Sequence, residues 1–180
     1  MMKRIFLAVS LVLAVSSITT VAMPTMSVEA KTGKFTKKDV KAMKKGTFVY
    51  AKASVGDKKQ KLMNKGFKDE STDYSVNFTQ TPNSTVYFSY QLSLYNKNST
   101  IENFKTVKYI QATYSQRMNY SAFNTYLKRV KKYDQYPSGG HFRAYQSGKK
   151  YILVGDMNKG TEVWIFQNKN VMNRFLLSAG

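Results

Sequence analysis

His141 is the one histidine in the chain, and there is no cysteine at all. These two facts remove most site chemistry at once. Thiolate metal ligands, paired-imidazole zinc sites and thiol nucleophiles are all excluded. A Ser-His-Asp relay would have to use His141, and no Gly-x-Ser-x-Gly turn is present to carry its serine. One catalytic arrangement is left to consider. His141, Arg143 and Lys150 fall on neighbouring predicted strands, with Glu162, or alternatively Glu102, as the nearest carboxylate. A His and a Glu flanked by cations can do general acid–base work on a phosphodiester, as small secreted nucleases do. The ordinary alternative for His141 is a strand-start residue after Gly139-Gly140. Asp156-Met157-Asn158-Lys159-Gly160 opens like a calcium loop, but Thr161 and Gln167 stand where that loop needs Gly and Glu, so it reads as a hairpin turn. No metal site and no cofactor are expected.

Charge is the second resource. The 180 residues carry 29 Lys and Arg against 10 Asp and Glu, a net charge of +19. Lysine supplies most of it, and lysine is a hydrated point charge suited to diffuse attraction rather than forked readout of a base or carboxylate. Pairs occur at Lys37-Lys38, Lys44-Lys45, Lys58-Lys59, Lys131-Lys132 and Lys149-Lys150, and tyrosines are interleaved with them. Each pair alone reads as a solvated face. The sum is not balanced by carboxylates, and the expected partners are anionic polymers: teichoic-acid-like wall polymers, nucleic acid or an acidic lipid surface. The candidate binding cations are Lys128, Arg129, Lys131, Lys132, Lys149 and Lys150.

The N-terminus reads as a targeting segment. Lys3 and Arg4 precede an apolar run from Ile5 to Ile18, and Val28-Glu29-Ala30 offers small residues for cleavage after Ala30, with a second option after Ala22. Removal of residues 1–30 takes away two of the basic and one of the acidic residues and leaves 150 residues at +18. Residues 31–180 then form a single basic domain. A cysteine-free, lysine-rich exported chain fits a Gram-positive bacterium, with the protein secreted or associated with the cell wall. The expected function is non-enzymatic, electrostatic association with anionic envelope polymers; the alternative is a secreted nuclease or toxin-like enzyme centred on His141. A secreted inhibitor or immunity-type domain has no positive marker in the sequence.

The elements that would position these residues follow from periodicity. Thr36-Lys37-Lys38-Asp39 approximates a capping box and Gly46 a stop, so a short helix is expected between them. Thr47–Ala53 reads as a strand and Asp57–Lys65 as a second short helix. From Thr72 to Tyr95 apolar residues alternate with polar ones about Pro82-Asn83-Ser84, which predicts a hairpin. Ser99-Thr100-Ile101-Glu102 is a further capping box, and Thr106–Tyr114 is strand-like. Phe123, Leu127 and Val130 at i, i+4 and i+7 predict an amphipathic helix from Ser121 to Tyr133, the natural cover for the hairpin. His141–Gln146, Lys150–Gly155 and Thr161–Gln167 are predicted strands with Trp164 facing away from Val163 and Ile165, and Val171–Leu177 is a short terminal helix. No internal repeat is evident. The fold class is α+β: an antiparallel sheet of about six strands packed by one amphipathic helix, plus short N-terminal helices.

Overall fold

A computed structural model of the chain describes residues 33–72, 75–93, 105–133, 142–157 and 160–178. The proposed signal segment, the capping box at Ser99–Glu102, and both Glu102 and His141 lie outside these residues.

The first elements among the described residues are β1 (Gly33–Lys34) and helix α1 (Lys37–Lys45). The capping box is formed: Thr36 N–H donates to Asp39 Oδ2 at 2.7 Å, and Asp39 N–H donates to Thr36 Oγ1 at 3.3 Å. Gly46 ends the helix at φ 89°, the left-handed geometry that glycine adopts without strain. Helix α2 (Lys59–Asn64) and the two-residue strand β2 (Lys68–Asp69) follow. The hairpin forms from β3 (Asn77–Asn83) and β4 (Val86–Gln91), with β5 (Tyr109–Tyr114) beside β4. Its turn sits at Ser84-Thr85, where Asn83 Oδ1 accepts from both Thr85 N–H and Val86 N–H. Pro82 occupies the register shift between Gln80 and Asn83, where no ladder donor is required. The chain continues through β6 (Met118–Asn119), α3 (Ser121–Tyr126), β7 (Lys128–Tyr133), β8 (Phe142–Ser147), β9 (Lys150–Met157), β10 (Gly160–Phe166) and α4 (Lys169–Ser178).

Eight strands make one antiparallel sheet in the order β2-β3-β4-β5-β10-β9-β8-β7. Two four-strand meanders, β2 to β5 and β7 to β10, therefore meet along a single seam between β5 and β10. The preceding elements repeat as well: β1 leads into α1, β6 leads into α3, and β1 and β6 pair in parallel. This duplicated element order left no trace in the sequence, because α2 has no counterpart in the second half and the matching strands differ in length.

Both faces of the sheet are used. On one face Phe78, Phe88, Tyr90, Ile110, Tyr145, Ile152, Val154, Val163 and Ile165 pack against Val40 and Met43 of α1, Leu62 of α2 and Phe123 of α3. Phe48 stacks on Phe88 at 5.2 Å, Phe67 meets Tyr90 edge-on at 4.9 Å, and Phe35 meets Phe123 at 5.2 Å. On the other face Phe142, Leu153, Trp164 and Phe166 pack under Val171 and Met172 of α4. Phe175 of α4 closes over Tyr109, Trp164 and Phe166 at 5.2–5.9 Å. Strands β9 and β10 are thus covered twice, which explains their apolar runs Tyr151–Val154 and Val163–Phe166. Trp164 does face away from Val163 and Ile165, and is 4% exposed.

Three expectations change. The sheet has eight strands rather than about six. Thr47–Ala53 is not a strand, because its backbone is bonded elsewhere: Ala51 N–H turns back to Phe48 O, and the Gln80 amide accepts from Lys52 N–H at 3.2 Å and donates to Tyr50 O at 3.0 Å. Helix Ser121–Tyr133 stops at Tyr126, and its basic half becomes edge strand β7, paired from Lys128↔Gln146 to Tyr133↔Phe142. Three apolar residues cannot separate the two periods, and lysine is well tolerated on an edge strand. The hairpin is covered by Phe48 and Phe67 rather than by this helix.

Two substitutions test the packing. Trp164→Ala is expected to destabilise the protein by about 3–5 kcal/mol, read from denaturant midpoints by circular dichroism. Gly160→Ala places a Cβ 2.0 Å from the Tyr114 carbonyl oxygen across the seam, a backbone clash that no rotamer relieves. It should cost at least as much as Trp164→Ala; a loss below about 1 kcal/mol would show the seam to be more tolerant than its geometry indicates.

Candidate functional site: a cationic corner

Helix α1 buries only Val40 and Met43 and turns Lys37, Lys38, Lys41, Lys44 and Lys45 to solvent. Two contacts fix where this basic face sits. At its first turn, Lys37 Nζ lies 5.8 Å from the ring centre of Tyr126, at the end of α3. At its other end, Gly46 lies against the alkyl stem of Lys150, so closely that a Cβ on residue 46 would be 2.7 Å from Lys150 Cε. Lys150 opens β9 opposite Ser147, directly after the Gly148-Lys149 turn, and Lys128 pairs with Gln146 on the neighbouring strand. The result gathers Lys44, Lys45, Arg129, Lys149 and Lys150 at one corner, where α1 meets the β7–β8–β9 end of the sheet, while Lys128, in register with Gln146 and Tyr151, faces the other side. Lys128, Arg129 and Lys149 are exposed, while Lys150 is half-buried along its stem.

Three of the six cations expected from the sequence, Arg129, Lys149 and Lys150, thus come together here, though on a strand edge and a hairpin turn rather than on a helix. Lys131 and Lys132 continue along β7 opposite Ala144 and Arg143. Sequence reasoning missed the α1 lysines as part of the same surface. Their signal was present in the spacing of 37, 38, 41, 44 and 45 around Val40 and Met43, but only the Gly46–Lys150 contact joins them to the β8–β9 turn. A second basic region surrounds α2, where Asp57, Lys58, Lys61 and Lys65 border an open depression of about 470 Å³. There Lys61 is paired with Asp57 at 2.8 Å.

The catalytic alternative is arranged differently. Arg143 pairs with Val154 and so faces the helix-covered side of the sheet. Its guanidinium lies 5.3 Å from the ring centre of Tyr120, whose hydroxyl donates to Asp156 Oδ2 at 3.4 Å. Burial, followed by the Asp156 carboxylate, pushes the Tyr120 phenol above its ordinary range. Beside it, Tyr145 donates to Asn124 Oδ1 at 2.9 Å. Arg143 is therefore a component of side-chain packing. Lys150 is on the same face but four residues along the strand from Val154, roughly 13 Å away. Glu162 pairs with Gly155 and faces the opposite side altogether. The structure does not bring Arg143, Lys150 and Glu162 into one site.

Glu162 sits instead in a neutral neighbourhood. Partial burial, opposed by the polar Gln111 and Thr113 side chains, raises its carboxyl above the ordinary glutamate range. Among the described residues, no group of three His, Asp or Glu side chains is placed to hold a metal ion, and no helix is long and apolar enough to cross a membrane. Comparison with family models, with curated proteins and with solved structures finds no match for this chain.

The Glu162 environment sets a pH dependence with a definite sign. Its acid form is favoured in the fold, so ionisation costs stability; the cost is absent below the ordinary glutamate range and full once pH passes the raised value. Glu162→Gln should therefore gain stability relative to the parent between about pH 4 and 7. Denaturant midpoints across that range check it, and a parent that gains on Glu162→Gln as pH rises would reverse the assignment.

Proposed function

We propose that this protein is an exported, cationic, non-enzymatic envelope protein that associates with anionic polymers such as teichoic-acid-like wall chains. The observation that carries the reading is the cationic corner: α1 and the β7–β8–β9 end assemble cations from three separate stretches of sequence, in a chain whose 29 basic residues face only 10 acidic ones. The proposed route is a signal peptide ending at Ala30, after which the first abundant polyanion met is that of the wall.

The physics is that of counter-charge rather than of a pocket. Exposed lysines near an anionic surface contribute about 1 kcal/mol each at moderate salt, and the effect decays over a Debye length of about 8 Å at 0.15 M and about 3 Å at 1 M. Lysine on an edge strand also discourages pairing with another sheet, so β7 has a protective use for its charge whatever binds there. That protection does not account for five exposed lysines on α1.

The expected result is progressive release of the protein from intact cells as sodium chloride rises, complete by about 1 M. In solution, the triple variant Lys44→Gln, Lys45→Gln, Lys149→Gln should bind walls that retain their anionic polymers roughly 10–100-fold more weakly at low salt. Binding that resists 1 M salt, or a triple variant with unchanged affinity, overturns the reading. Nucleic acid and anionic vesicles run alongside as competitors show which polyanion is preferred.

A further inference from the structure

Helix α1, the loop after it, the β3–β4 turn and the end of β5 enclose a cavity of about 270 Å³. Its floor is apolar. Phe35, Met43, Phe48, Val86 and Phe88 line it, and each is at most 5% exposed. Polar groups gather around this floor, and Tyr50, at 62% exposure, stands beside it in solvent. The volume falls just below the range of about 300–1,000 Å³ that encloses drug-sized ligands, so the matching occupant is smaller.

Most of the polar groups here are already used. Asn83 Oδ1 serves the hairpin turn, accepting from the Thr85 and Val86 N–H groups. Thr36 serves the cap of α1. Two oxygens are left over. Asp39 commits only Oδ2, which accepts from Thr36 N–H at 2.7 Å and from Thr36 Oγ1 at 2.6 Å; its Oδ1 takes no hydrogen bond from the described residues. The Tyr114 ring is fixed edge-on to Phe35 at 5.2 Å, yet its hydroxyl has no hydrogen-bond partner among the described residues. Burial, and after it the Asp39 carboxylate, pushes this phenol above its ordinary range, so it stays neutral beside an anion. Among the described residues Asp39 is the one carboxylate lining the cavity. Lys34 is the one cation, and it is exposed, where water and salt screen it.

This set of groups has a definite complement. An ammonium head donates to both spare oxygens, carries the charge opposite to Asp39, and is attracted by the faces of the Tyr50 and Tyr114 rings. A hydrocarbon body fits the floor. We propose that the cavity binds a small organic cation, an ammonium group on a hydrocarbon body, with Asp39 and Tyr114 holding the head and Phe48 and Phe88 the body. Its charge preference is the reverse of the cationic corner's, so this site and the electrostatic reading can each fail without the other.

The test titrates the secreted chain, carrying labelled methionine methyls, with benzylamine, benzyl alcohol and benzoate. The three share a ring and differ in charge. In the nuclear magnetic resonance spectrum benzylamine should shift the methyls of Met43 and Met118, which line the cavity, and leave those of Met157 and Met172, on the other face of the sheet. It should bind about tenfold more tightly than either of the others. Asp39→Asn keeps an oxygen for the Thr36 cap and should lower benzylamine to the affinity of benzyl alcohol. Tyr114→Phe should weaken it roughly threefold to tenfold. The Lys44, Lys45, Lys149 triple variant should bind benzylamine like the parent. Circular dichroism confirms the fold of each variant, and where Asp39→Asn does not fold, Tyr50→Ala and the three ligands on the parent decide. No shift at Met43 and Met118, equal binding of benzylamine and benzyl alcohol, preference for benzoate, or indifference to Asp39→Asn overturns the proposal.

Discussion

Everything else in this protein depends on the pairing of β5 with β10. Six consecutive residue pairs, Thr161↔Tyr114 through Phe166↔Tyr109, join two meanders whose other links include the small β1–β6 contact, the packing of α1 on α3 and Gly46 against Lys150. The approach at its start is close enough that only glycine fits at Gly160. One residue on, the fully buried Thr161 hydroxyl accepts from Met118 N–H at 2.8 Å and donates to Asp156 Oδ1 at 2.9 Å. One side chain thus ties β6, the β9–β10 hairpin and the seam together. A buried hydroxyl left unpaired would cost about 1–3 kcal/mol, so this threonine is specified by both of its partners.

The seam also separates the two surfaces of interest. Residues pointing to one side of β10, Val163 and Ile165, enter the core under the helices. Those pointing to the other, Glu162, Trp164 and Phe166, divide between the α4-covered patch and the polar surface beyond it. The cationic corner belongs to the helix-covered side and to the far end of β7–β9. The molecule therefore presents positive charge in one direction and a mixed polar surface bearing Glu162, Glu70 and Lys68 in another, with a two-sided sheet between them.

The sequence was legible where local chemistry alone decides. Thr36 and Asp39 capped α1 as their spacing required, Gly46 ended it, and the apolar runs located β9 and β10 to within two residues, while the run read from Thr85 to Tyr95 gives a β4 that ends at Gln91. Trp164 could be assigned to its face by parity. Illegibility began where distant partners decide. Lys128–Tyr133 satisfies a helical period as well as a strand, and only the edge of β8 resolves it. Thr47–Ala53 has strand-forming residues, but the Gln80 amide, some thirty positions away, captures its backbone. The duplicated topology is invisible because its two halves share element order without sharing residues. As for the candidate site, charge type and the β7 and β8–β9 cations were readable; their union with α1 was not, since it rests on Lys150 lying across Gly46. The separation of Glu162 from Arg143 follows from strand register, which no local pattern encodes.

The seam has a further consequence for how this chain reaches its native state. β5 is complete well before β10 is made, and its core-facing side carries Ile110 and Ala112. Until Gly160–Phe166 arrives, the first meander ends at β5 with an open row of backbone donors and acceptors. Closing it requires a long-range contact, the slowest kind to form. The last strand to emerge is therefore a latch for the first half of the molecule. The interval before it engages is when the nascent chain is most exposed to mispairing with other copies and to proteolysis.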